Sequence, residues 1–138
     1  MGMGISGVNH VASLARNMDE TVAFYGEVLD VGIKRIASDA PNHKHYVFDL
    51  GGGATLDFFE AASSVAESTR DAIGGLNHLA LTTHPEFIAT VEARLVDRDW
   101  EFRPEERAGQ RTIYFKDPNG ITLQLYPETG GTRAGPGG

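Results

Sequence analysis

The sequence predicts an α+β protein built from two tandem βαβββ modules. Three observations predict it. First, Gly7-Val8-Asn9-His10-Val11-Ala12 returns as Gly75-Leu76-Asn77-His78-Leu79-Ala80. Second, Gly53-Ala54-Thr55-Leu56-Asp57-Phe58-Phe59 returns as Gly120-Ile121-Thr122-Leu123-Gln124-Leu125-Tyr126. His10 and His78 lie 68 residues apart, and Asp57 and Gln124 lie 67 apart, so the offset is kept within one residue. Third, a stretch with helical apolar spacing follows the first strand of each copy.

Taken in order, 8–14 reads as the first strand. Asn17 or Asp19 caps a helix that runs to Leu29, with Glu20 near its positive end. Val22, Tyr25 and Leu29 form its apolar stripe, widened by Phe24 and Val28. Gly32 is expected in the exit turn. Strands follow at 32–37, 45–50 and 54–60, the last two joined by the turn Gly51-Gly52-Gly53. Residues 61–74 are small and polar and read as a linker. The order then repeats: a strand at 76–82, a helix from Pro85 to about Arg98, and strands at 100–103, 111–116 and 121–126. Asp117-Pro118-Asn119-Gly120 is the turn before the last strand, and Phe48 aligns with Phe115. Module one thus spans 5–60 and module two 75–128, within a single domain of residues 1–128. The tail 129–138 is rich in Gly, Thr and Pro and is expected to be disordered.

Composition narrows the functional classes. A net charge of −7 leaves no basic stripe for nucleic acid. The absence of cysteine excludes disulfides, thiolate metal sites and a Cys nucleophile, and suits a cytoplasmic protein. No apolar run approaches the roughly 20 residues that cross a bilayer.

Alternation singles out the chemistry. In 54–60, Leu56 and Phe58 share one face while Thr55, Asp57 and Phe59 share the other. In 121–126, Leu123 and Leu125 oppose Thr122, Gln124 and Tyr126. A polar residue inside a β-forming strand, twice at equivalent places, needs a metal, a ligand or a mutual hydrogen bond to satisfy it. A βαβββ module covers one sheet face with its helix and leaves the other open. Two copies can curl their open faces into a cavity. If the first and last strands of each module pair, His10 neighbours Asp57 and His78 neighbours Gln124. Two nitrogens and two oxygens suit a divalent ion such as Fe, Ni, Zn, Co or Mn, with positions left for substrate or water. The alternative is a pair of core histidines and hydrogen-bonded polar strand residues.

The repeat, the paired Asn-His strands, Phe24-Tyr25-Gly26-Glu27-Val28-Leu29 and Phe115-Lys116-Asp117-Pro118-Asn119-Gly120 together resemble the vicinal oxygen chelate superfamily. This is the glyoxalase, bleomycin-resistance protein and extradiol dioxygenase group, and the resemblance covers about residues 5 to 128. It implies metal ligands at His10, Asp57, His78 and Gln124. Metal-using members often carry glutamate where this chain has Asp57 and Gln124. In glyoxalase-like chemistry a ligand carboxylate also moves the substrate proton, which assigns that catalytic role to Asp57, or to Glu60 if a bulge shifts the register. Phe59, Tyr126 and His45 are expected pocket walls, and Arg107 or Arg111 a partner for an anionic group. Glu60 and Glu105-Glu106 otherwise read as solvated charges.

The resulting expectation is a metal-dependent enzyme, a lyase, isomerase or dioxygenase, acting on a small molecule that chelates the metal through adjacent oxygens. The alternative is a metal-free protein of the same fold that binds an antibiotic. A homodimer is expected in either case, without nucleic-acid or membrane partners.

Overall fold

The computed structural model describes residues 4–62, 65–66 and 72–128. The tail expected to be disordered, and part of the linker, lie outside these residues. Contacts divide the chain into two compact units, Met1–Ala66 and Glu67–Gly138. They correspond to the two modules.

Module one contains β1 (His10–Ala15), α1 (Met18–Leu29), β2 (Ile33–Ser38), β3 (His45–Gly51) and β4 (Ala54–Glu60). Module two contains β5 (Leu79–Thr83), α2 (Pro85–Asp97), β6 (Phe102–Arg107), β7 (Gln110–Lys116) and β8 (Thr122–Pro127). The sheets have the orders β1-β4-β3-β2 and β5-β8-β7-β6. First and last strands pair in parallel in both modules, with Ala12 opposite Asp57 and Ala80 opposite Gln124. The pairing inferred from the sequence is therefore the one found, and it sets each His-bearing segment beside the strand with the polar residue.

The local chemistry explains both helices. The Asn17 side chain accepts a hydrogen bond from the Glu20 amide, as an N-cap should. Glu60 reaches back from the end of β4, and its Oε2 accepts from the Met18 amide at 2.7 Å. It is thus a capping group on the helix side rather than the solvated charge the sequence suggested, and it does not stand in for Asp57. The exit from α1 is also different: Asp30, not Gly32, adopts the left-handed conformation, with φ 56°. Aspartate tolerates that region through local polar contacts. Helix α2 starts on Pro85 without a side-chain cap.

Beneath α1, Tyr25 packs against Phe48 and Phe58 with ring centroids 5.7 and 5.6 Å apart. Module two buries an aliphatic counterpart: Ile88, Val91 and Leu95 of α2 and Ile113, Leu123 and Leu125 of the sheet. Phe48 and Phe115 hold equivalent register, opposite Leu56 and Leu123.

The sequence misplaced β6, which starts later than expected and includes Glu105 and Glu106. Pro104 lies within it, which only an edge strand accepts, because Pro lacks the N–H a second neighbour would need. The tight turn to β7 puts Ala108 and Gly109 at φ 52° and 78°. Before β8, buried Asp117 holds the turn by accepting from the Asn119 and Ile121 amides.

Candidate functional site

The register assigns every side chain to a face. On module one, His10, Thr55, Asp57, Phe59 and His45 belong to the face away from α1. Asp57 sits low in this face, 9% exposed, with Phe59 half-exposed above it. Thr55 Oγ1 donates to Asp57 Oδ1 at 2.8 Å. His45 Nε2 lies 3.3 Å from Asp57 Oδ2, and its ring stacks on Phe59 with centroids 3.9 Å apart. Burial opposes ionisation of Asp57, but the bonds from Thr55 and His45 and the charge of His10 outweigh it. The carboxyl is held below its ordinary value of 3.8 and is ionised at neutral pH. The polar strand residue that needed a partner therefore has two within its own module, and His45, read as a wall, is one of them.

On module two, Gln124 is 3% exposed and Tyr126 stands beside it, 39% exposed. Tyr114 of β7 is directly opposite Gln124. The His78 ring meets Tyr114 edge-on, with centroids 5.6 Å apart. The Arg103 guanidinium lies 4.5 Å from the Tyr114 centroid, and Arg107 Nη2 donates to its hydroxyl at 3.3 Å. Glu105 accepts from both arginines. A groove of about 860 Å³ adjoins this face, lined in part by Trp100, Arg103, Tyr114, Lys116 and Thr122. Arg111, expected to hold an anionic group, points the other way. It makes a two-pronged ion pair with Glu92 of α2, so it is committed to the helix side.

The two repeated histidines have the same neighbour. His10 Nδ1 is 2.7 Å from Asn9 Oδ1, and His78 Nδ1 is 2.8 Å from Asn77 Oδ1. His10 is exposed and His78 is half-buried. Among the described residues, no three His, Asp or Glu side chains converge closely enough to hold a metal ion. Each module instead brings its repeat-related histidine and the polar residue of its last strand to its open face. The sequence reading missed Tyr114 and Arg103, whereas Arg107 is one of the two arginines it offers for an anionic group. Alternation along 110–116 places Tyr114 on the face of Gln124, so that signal was present.

The family model of the Glyoxalase/Bleomycin resistance protein/Dioxygenase superfamily matches residues 7–125, and the chain belongs to this superfamily. It is 26% identical over 130 residues to the uncharacterized protein YwkD of Bacillus subtilis, covering 91% of this chain and all of that one. The fold is similar to a glyoxylase/bleomycin resistance protein/dioxygenase domain from Frankia sp., with a TM-score of 0.78, 22% identity and coverage of 91% and 100%. It is also similar to a mutant of the fosfomycin resistance protein FosX from Listeria monocytogenes, with a TM-score of 0.69, 22% identity and coverage of 91% and 94%. That structure holds Mn(II) and 1S,2S-dihydroxypropylphosphonic acid. No helix among the described residues is long and apolar enough to cross a membrane.

Proposed function

We propose that this chain is a metal-dependent enzyme acting on a small substrate with two adjacent oxygen donors, by lyase, isomerase or dioxygenase chemistry. The observation that carries the reading is the recurrence of a histidine and an oxygen donor at register-equivalent places on both open faces. His10, Asp57 and His78 are the proposed ligands, with Gln124 completing or tuning the set. Their chemistry fits a divalent ion: neutral imidazoles, one ionised carboxylate and one neutral oxygen. The Mn(II) in the FosX structure supports the choice of a hard-to-borderline ion. When bound, such an ion would polarise a chelated substrate and would stabilise negative charge on its oxygens.

The protein's own residues do the rest. In this reading Asp57 accepts a substrate proton, and its lowered pKa, which keeps it ionised, supports that role. The same lowering weakens it as a base, so its strength depends on Thr55 and His45. Phe59 and Tyr126 wall the substrate, and Arg103 and Arg107 offer positive charge beside Tyr114. A cytoplasmic homodimer completes the reading. Leu14, 53% exposed, and Phe59, 40% exposed, leave apolar surface on the open face of module one that a partner would cover.

Calorimetric titration of metal-free protein with Fe(II), Ni(II), Zn(II) and Mn(II) tests this. Binding near one ion per site, lost in both His10→Ala and His78→Ala, is expected, and the preferred ion narrows the chemistry. Binding indifferent to both substitutions would sink the reading. The second reading, a metal-free protein that binds an antibiotic, is favoured by one observation: Asp57 is already satisfied by Thr55 and His45. It would take first place if no ion bound.

A further inference from the structure

We infer that Asn9 and Asn77 are positioning residues that fix the tautomers of His10 and His78. They hold each proton on Nδ1 and leave each Nε2 lone pair free for a divalent cation. The inference rests on the metal-centre reading and deepens it.

A carboxamide oxygen only accepts hydrogen bonds. At 2.7 Å from Asn9 Oδ1, His10 Nδ1 must therefore carry the proton, and the same holds for His78 beside Asn77 at 2.8 Å. The neutral ring then presents its lone pair at Nε2, the atom that ligates. The identity of the partner matters. His45 meets Asp57 and His84 meets Glu128, both carboxylates. A carboxylate adds negative charge beside the ring and favours the imidazolium, which has no lone pair to give. A carboxamide selects one tautomer without adding charge.

The placement is built rather than incidental. The Asn9 carbonyl accepts from the Thr55 amide at 3.1 Å, which ties Asn9 to β4 one residue before His10. His78 has a second restraint, its edge-on contact with Tyr114. Among the described residues the arrangement occurs at the two histidines related by the repeat. Partners of this kind orient metal-binding histidines, and their loss lowers affinity about 10–100-fold.

The test has two readouts. Long-range ¹H–¹⁵N NMR on metal-free protein, at a pH where the rings are neutral, reports which nitrogen of each histidine holds the proton. Calorimetry with Zn(II) and Mn(II) reports affinity. Wild-type protein is expected to show the Nδ1–H tautomer at both histidines. Asn9→Leu should release His10 alone and Asn77→Leu should release His78 alone, each weakening ion binding about 10–100-fold with the circular dichroism spectrum unchanged. Asn9→Asp, which keeps an acceptor, should restore the His10 tautomer. Mixed or Nε2–H tautomers in wild type would overturn the inference, as would unchanged affinity in both Leu variants. If both tautomers are fixed but wild-type protein binds no ion, the metal-centre reading falls, and the ligand role assigned to the two lone pairs falls with it.

Discussion

The two modules share a topology and differ in what fills it. Module one buries an aromatic cluster, Phe24, Tyr25, Phe48 and Phe58, under a helix capped by Asn17 and Glu60. Module two buries aliphatic side chains under a helix with no side-chain cap. Their open faces also diverge. Module one offers a carboxylate held by Thr55 and His45, whereas module two offers a neutral amide opposite a tyrosine bracketed by two arginines. The backbone pattern of a repeat thus fixes where a functional side chain sits and leaves its charge to vary.

Core substitutions sharpen this contrast most. Phe58→Ala should cost about 3–5 kcal/mol and Leu123→Ala about 2–5 kcal/mol, read by denaturant unfolding. A larger loss at Leu123 would break the view that the aromatic cluster is the more costly to open.

Asp57→Asn makes module one as neutral as module two. It should cost about 1–2 kcal/mol at neutral pH through its bonds to Thr55 and His45. The sign of the pH dependence follows from a folded value lowered below 3.8. The contribution is complete above that ordinary value and is lost as the pH falls through the lower folded one. Wild-type and variant stabilities should therefore converge in acid, and a gap that persisted there would contradict the assignment.

At the helix starts, Asn17→Ala should cost about 1 kcal/mol, whereas His84→Ala should stay within about 0.5 kcal/mol. Equal effects in thermal melts would show that the capping difference carries no energy.

The smallest effect concerns Tyr46, which donates to Asp39 where module two has apolar Ile113 in the equivalent register. That hydrogen bond, with burial and the nearby Asp39 charge, raises the phenol from 10.0 to about 12. Its contribution is complete below 10.0 and is lost as the pH rises toward 12. Tyr46→Phe should cost about 1 kcal/mol and remove a step near pH 12 from a spectrophotometric tyrosine titration.

The sequence by itself determined the duplication, the element order and the faces of the last strands. Those features are local: a period of two sorts Asp57 from Phe58, a period of 3.6 sorts Tyr25 from its exposed neighbours, and a matched offset reveals a repeat. Helix starts were legible at Asn17 and Pro85 for the same reason. Tertiary structure decided what depends on distant partners. Glu60 became a helix cap because β4 ends beside the start of α1. Arg111 turned toward Glu92 because α2 lies over that side of β7. The strand through Pro104 formed because an edge tolerates the missing donor. Asp57 acquired His45 only when the β3–β4 register brought the ring to its oxygens, whereas Thr55 was readable two residues away on the same face. Register is set by packing across many residues, so neighbours along the chain were readable and partners across the sheet were not.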